Sequence, residues 1–278
     1  MGKRTYDPRT YWDARLAKRW DLSGVGHACY SVGYNRWLYR AQGWALARAL
    51  RRVRAPVSRM SVLDVGSGTG HWLKWYSRRD AGPLTALELS PAAAGRIRER
   101  FPEVTVVEGD IAELTLPANR FELVNMLGVI YHIVEPPAFE RALESAARAI
   151  APGGWLVLSD RLGSEEVRPA RHVRFRPLAC YEDRLPSLGL RIQLVQPIYT
   201  LLNGGLADAA CSAPAVARNL VHGAEEAMAA LLFALDRTPG LGHWANMRLL
   251  VAKKVGNSAE HSQAVEGPGV RTARCASV

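Results

Sequence analysis

The chain is 278 residues long, 48% hydrophobic and 22% charged, with 24 Gly, 16 Pro and 4 Cys. That usage excludes collagen-like, low-complexity and disulfide-dense chains, and a chain of this length can bury about 75% of its unfolded surface. The net charge of +10 is unevenly placed: residues 1–54 hold 12 Lys/Arg against 3 Asp/Glu, whereas residues 55–278 hold 24 against 23. The opening MGKRTYDPRTYW lacks the apolar stretch of a secretion signal, and no run of 18 apolar residues occurs, so neither a leader nor a membrane span is expected. Cys29, Cys180, Cys211 and Cys275 are widely separated. A zinc site or disulfide framework is therefore not expected, and a cytoplasmic location fits.

In chain order, residues 1–54 form a helical, aromatic-rich N-terminal cap. SVLDV (61–65) is a short buried strand that runs into a Gly-rich turn and a helix over 71–79. PLTALEL (83–89) is a second strand, and the helix after it opens on Pro91, a favoured first helical residue because its missing N–H has no partner there anyway. VTVVEG (104–109) and FELVNML (121–127) are the third and fourth strands. A helix over 137–151 ends at Pro152-Gly153-Gly154, followed by a fifth strand at 155–160. Two more strands fall at 190–198 and 246–254, separated by an insertion (199–243) with a helix near 224–236. Alternating strands and helices imply right-handed crossovers. The expected fold class is α/β, doubly wound on a seven-stranded, mostly parallel sheet. Residues 55–254 are its core, with the helical insertion before the last strand. Residues 255–278 are polar and aperiodic and are expected to be a disordered tail.

The sharpest motif is Asp64-Val65-Gly66-Ser67-Gly68-Thr69-Gly70 between a strand and a helix. Glycines there permit a tight turn and close approach of a ligand to the backbone, at the strand end where open parallel sheets bind ligands. The G-x-G-x-G spacing differs from the dinucleotide G-x-G-x-x-G, and the G-K-[ST] of a P-loop is missing. VLDVGSGTG resembles the first motif of the class I S-adenosylmethionine-dependent methyltransferases. Further matches follow in order: Glu88-Leu89 at the end of the second strand, Gly109-Asp110-Ile111 after the third, Leu127-Gly128 after the fourth, and PGGWLVLSD leading into the fifth. The resemblance implies S-adenosyl-L-methionine as cofactor. Glu88 would then accept from the ribose hydroxyls, Asp110 from the adenine amino group, Ile111 would pack on the ring, and Leu127-Gly128 would lie near the sulfonium. Tyr11-Trp12, the YNRWLY segment from Tyr34, Tyr131-His132 and the 172–176 stretch are similar to a group of bacterial small-molecule methyltransferases. That likeness implies that Tyr11 and Tyr34 close over the cofactor.

Methyl transfer needs a nucleophile aligned with the methyl group and water excluded. His132, five residues past the fourth strand, is the candidate catalytic base. Tyr131, Asp160, Arg161, Arg174, Arg176, Tyr199 and Asn203 are candidate acceptor contacts, the arginines because a guanidinium fork can hold a carboxylate. No metal is expected, because Asp160 lacks the acidic neighbours a hard cation needs. On a helical wheel, residues 36–54 put Leu38, Tyr39, Leu46, Ala49, Leu50 and Val53 within about 120°, with Arg36, Arg40, Arg48, Arg51, Arg52 and Arg54 on the other side. The basic cap thus has the form of an amphipathic helix with a solvated face, and nucleic acid is not the expected partner. The resulting expectation is O-methylation of a small molecule (phenol, hydroxyl or carboxylate) in secondary metabolism. The alternatives are C- or N-methylation of a small metabolite, or an RNA- or protein-modifying enzyme recruited by the cap. The cap and the insertion are further expected to cover the site as a lid.

Overall fold

The computed structural model describes residues 6–28, 30–203, 215–238 and 240–256. Its centre is a seven-stranded sheet built from β1 (Val62–Val65), β2 (Leu84–Glu88), β3 (Thr105–Glu108), β4 (Phe121–Met126), β5 (Ile150–Asp160), β8 (Leu190–Tyr199) and β9 (Met247–Lys254). The strand order is β3-β2-β1-β4-β5-β9-β8. The first five strands run parallel, whereas β9 is antiparallel to both β5 and β8. The helices are α1 (Pro8–Lys18), α2 (Leu22–Val25), α3 (Val32–Arg52), α4 (His71–Ser77), α5 (Pro91–Arg100), α6 (Pro136–Ala149), α7 (Leu178–Ser187) and α8 (Ala215–Leu235).

Strand residues alternate between two cores, as a two-residue side-chain period requires. Val62, Leu123, Val157 and Val251 join one apolar cluster with Leu46 and Leu50 of α3 and Trp72 and Tyr76 of α4. Leu63, Val124, Leu156 and Leu250 join the other with Phe139 and Leu143 of α6 and Tyr181 of α7. The long cap helix α3 is therefore a layer of the fold. Leu38, Leu46, Ala49 and Leu50 are buried, while Arg36, Arg40, Arg48, Arg51, Arg52 and Arg54 are all exposed. Asp13 fixes α1 to the sheet layer. One of its carboxylate oxygens accepts from Ser90 Oγ (2.7 Å) and from the Ala92 N–H (3.0 Å) at the start of α5.

Three local features differ from the sequence expectation. The fifth strand begins at Ile150 rather than 155, because Pro152-Gly153-Gly154 forms an irregularity inside the strand instead of a break before it. Ile150 pairs with Phe121, the register then shifts, and Trp155 pairs with Leu123, with Gly153 at φ 76°. The connection after β5 contains a two-stranded hairpin, β6 (Val167–Ala170) and β7 (Val173–Phe175), followed by α7, none of them anticipated. The insertion helix begins at Ala215, nine residues before the anticipated start. Residues 257–278, most of the expected tail, lie outside the described residues. Among the described residues, no helix is long and apolar enough to cross a membrane.

Candidate functional site

The chain direction across the sheet reverses between β1 and β4, the place where doubly wound sheets leave a crevice at their strand ends. A cavity with about 1150 Å³ of empty space, counted to include its open mouth, lies there. Its floor is the turn after β1. Gly66 (φ 64°) and Gly68 (φ 53°) hold left-handed conformations, and a Cβ on either would sit 2.6 Å from Val129 or Val25. Only glycine fits both the backbone geometry and the space.

Three carboxylates surround this floor. Asp64 is fully buried; its Oδ1 accepts from Asn125 Nδ2 at 2.7 Å, while its Oδ2 has no partner. Burial pushes its carboxyl up to about 7, against the hydrogen bond from Asn125. The two oxygens of Glu88 accept from the Gly68 N–H (2.7 Å) and the Ser90 N–H (2.9 Å). Burial raises the Glu88 carboxyl as well, and those backbone donors oppose the shift. Each Glu88 oxygen still has a lone pair free, because an ionised carboxylate offers about four acceptor positions. Asp110 Oδ1 accepts from the Ala112 N–H at 2.8 Å, and the neighbouring Ile111 is buried at the cavity wall. A side-chain-free floor, a diol-sized carboxylate, an acid beside an apolar wall and an orphaned buried oxygen form the donor and acceptor set that S-adenosylmethionine needs.

Tyr6, Pro8, Trp12, Ile133, Val134 and Ala138 also line the cavity, with His132 among them and the exposed Glu135 beside them. Among the described residues, no Lys or Arg lines the cavity. His132 Nδ1 lies 2.8 Å from the carbonyl oxygen of His172. A carbonyl can only accept, so Nδ1 carries the proton and Nε2 is the acceptor nitrogen. Trp12 meets the His132 ring edge-on at 4.8 Å between centroids, and the ring of His172 lies parallel to it at 5.7 Å. Burial pushes His132 down to about 3, with the His172 ring and the Arg15 charge acting in the same direction and the His172 carbonyl opposing them. The ring is neutral at any ordinary pH.

Of the residues expected from sequence, Gly66, Ser67, Gly68, Thr69, Glu88, Leu89, Asp110, Ile111, Leu127, Gly128 and His132 line this one cavity. Asp64 and Gly70 lie beneath it in the turn. The remaining expected contacts are not brought to the wall. The Tyr34 hydroxyl donates to the Leu202 carbonyl, and its ring stacks on Tyr30 at 4.0 Å. The Tyr11 ring stacks on His172 at 4.7 Å, and its hydroxyl accepts from Arg15. Tyr131 packs on Phe175, and Tyr199 is buried in the core. Asp160 accepts from the Arg161 and Arg176 N–H groups and from the Tyr181 hydroxyl. Arg161 is exposed, and the Asn203 carbonyl accepts from Asn246. Arg174 pairs with Glu166 and donates to the Val134 carbonyl (3.0 Å). Arg176 is buried over the Phe139 ring and donates to the carbonyls of Ile133 (2.7 Å) and Ile130 (3.4 Å). These arginines bind backbone because the hairpin packs against the 130–134 segment, which pattern reading of the connection did not reveal. No described residue of 199–243 lines the cavity.

Trp12, Asn125, Tyr39, His71 and His172 were not anticipated at the site. Trp12 had a signal, since it adjoins Tyr11; a helix turns about 100° per residue, so the two neighbours face different walls. Asn125 carried none, because its role depends on the pairing of Asp64 with Asn125 across β1 and β4. Among the described residues, no group of three His, Cys, Asp or Glu could hold a metal ion.

Residues 62–154 match the methyltransferase domain family. The chain is 30% identical over 109 residues to the dTDP-3-amino-3,4,6-trideoxy-alpha-D-glucopyranose N,N-dimethyltransferase of Streptomyces venezuelae, a match covering 39% of this chain and 45% of that one. It is 35% identical over 125 residues to the ubiquinone/menaquinone biosynthesis C-methyltransferase of Methylobacterium nodulans, covering 42% and 47%. The chain thus spans less than half the length of either relative. Its fold is similar to that of Haemonchus contortus phosphoethanolamine N-methyltransferase 2 in complex with S-adenosyl-L-methionine, with a TM-score of 0.58 and 16% identity, covering 92% of this chain and 61% of that one.

Proposed function

We propose, from the match of residues 62–154 to the methyltransferase domain family and from the cavity, that the chain uses S-adenosylmethionine to methylate a small, uncharged or cationic molecule, at a hydroxyl or phenol oxygen that hydrogen-bonds to His132. One cavity carries this reading: it joins the Gly66–Gly70 turn, Glu88 and Asp110-Ile111 to an aromatic end bearing His132. Gly66 and Gly68 keep the floor clear. Glu88 would hold the ribose hydroxyls, Asp110 and Ile111 the adenine, and the orphaned Asp64 Oδ2 a donor or positive group. When bound, S-adenosylmethionine supplies a methyl group on cationic sulfur to an in-line nucleophile. Trp12 and Ile133 exclude water from that end; the unprotonated Nε2 of His132 accepts a hydrogen bond from the acceptor's O–H, orients the oxygen lone pair, and takes the proton once methylation has made that oxygen strongly acidic.

A carboxylate acceptor, one of the sequence expectations, fits poorly. Among the described residues no Lys or Arg lines the cavity, and Arg174 and Arg176 are committed to backbone carbonyls. A second reading, an amine nitrogen, is favoured by the weak basicity of His132, because a neutral amine attacks before it loses a proton. An RNA- or protein-modifying role has less support, since the basic residues of α3 lie opposite its buried face and none reaches the cavity wall.

The test is transfer of a labelled methyl group from S-adenosylmethionine to a panel of phenols, alcohols, amines and carboxylic acids. Labelled oxygen products support the proposal, and labelled amines support the second reading. Transfer to carboxylic acids alone, or to RNA alone, refutes both.

A further inference from the structure

We infer that the β6–β7 hairpin fixes the tautomer of His132, with His172 at its turn as a positioning residue, so that Nε2 is held proton-free toward the acceptor. The inference rests on the proposed methyl transfer only for what Nε2 meets; the tautomer itself is a property of this chain.

A solvated imidazole exchanges between two neutral tautomers, and only one of them leaves Nε2 as an acceptor. Here the choice is imposed by the main chain. The His172 carbonyl, 2.8 Å from Nδ1, requires a proton on that nitrogen. Nε2 has no hydrogen-bond partner among the described residues, although the ring lines the cavity.

The carbonyl must in turn be held in place. The hairpin pairs only Val167 with Phe175 and Ala170 with Val173, so its own ladder is too short to fix its position. Its anchors converge on the segment that carries His132. Arg176 donates to the carbonyls of Ile130 and Ile133, and Arg174 donates to that of Val134, which bracket His132 on both sides. The His172 ring completes the arrangement, lying 7° from parallel with His132 and stacked at 4.7 Å on Tyr11 of α1. Trp12 and Tyr131 also pack on the His132 ring, at 4.8 and 4.5 Å between centroids. The arginines that resembled acceptor contacts in the sequence thus hold the backbone around the residue that faces the acceptor.

The test is the nitrogen chemical shifts of His132 in the full chain labelled with ¹⁵N-histidine, at neutral pH. The expected result is a pyrrole-type Nδ1 and a pyridine-type Nε2. His172→Phe keeps the stacking face and the carbonyl and is expected to keep that pattern. His172→Ala is expected to give averaged shifts and to lower kcat about tenfold, with little change in KM, for whichever acceptor takes the label. Arg174→Gln releases the Val134 carbonyl and the Glu166 ion pair while leaving Arg176 on the Ile130 and Ile133 carbonyls, and serves as a second variant, with a smaller change in the same direction. A wild-type protein with its proton on Nε2, or unaltered His132 shifts in both His172→Ala and Arg174→Gln, overturns the inference. Because the spectra need no acceptor, a fixed tautomer in a protein that transfers no methyl group would refute the reaction and leave the positioning role standing.

Discussion

Replacing Glu88 with Gln probes the cofactor end of the cavity with little change in shape. In the native chain both carboxylate oxygens accept from backbone, Gly68 at 2.7 Å and Ser90 at 2.9 Å, and both keep capacity for a ligand hydroxyl. A glutamine amide has one acceptor oxygen and one donor nitrogen, so whichever way it sits, one of the two backbone N–H groups faces another donor. Leaving that N–H unpaired costs about 1–3 kcal/mol, whereas removing a buried negative charge, whose carboxyl is raised by burial, offsets part of the loss. Net stability should therefore change little. Ligand binding should change more, because two hydrogen bonds to a charged acceptor, each about 1.5–3 kcal/mol, fall to about 0.5–1.5 kcal/mol. A combined loss of about 2–3 kcal/mol weakens binding about 30- to 150-fold. Calorimetric titration with S-adenosylhomocysteine reads the affinity, and a thermal melt of the same samples checks folding. A folded Glu88→Gln protein that binds within threefold of wild type would refute the assignment of Glu88 to the ribose hydroxyls.

Gly66→Ala puts a Cβ on a backbone at φ 64°, 2.6 Å from Val129; it should lower unfolding stability by about 1–3 kcal/mol in urea titration and weaken the same ligand. Asp64→Asn should remove a pH dependence. The native carboxyl sits at about 7 against an ordinary 3.8, so its contribution is fully present below 3.8 and is lost as pH rises to 7. The variant should therefore gain on wild type by a few kcal/mol between pH 4 and 7, read by denaturation at both. Asp13→Ala removes the acceptor shared by Ser90 and Ala92; it should cost about 1 kcal/mol of stability and increase amide exchange in α1 more than in α3.

The sheet was legible because its strands are apolar and separated by turn residues, and because Asp64 and Glu88 lie at the carboxyl ends of β1 and β2 and Asp110 just beyond β3. Sequence reading failed where three-dimensional placement decides. Pro152-Gly153-Gly154 carries the composition of a helix stop, yet parallel pairing with β4 draws it into β5 as an irregularity. Arg174 and Arg176 have the right chemistry for a carboxylate, but the hairpin that aims them at backbone carbonyls has no strong local pattern. Tyr34 was expected over the cofactor and is instead packed between Tyr30 and the Leu202 carbonyl. Its burial follows from α3 being a layer of the fold, which the wheel showed only as an apolar stripe.

The central claim is that one cavity joins a cofactor to an acceptor held at His132. Determining the structure with S-adenosylhomocysteine bound tests it most directly. The account predicts ribose hydroxyls on both oxygens of Glu88, adenine against Ile111 with its amino group on Asp110, and the sulfur directed to the end lined by Trp12 and His132. A ligand bound elsewhere, or one in this cavity that leaves Glu88 engaged only by Gly68 and Ser90, would contradict it.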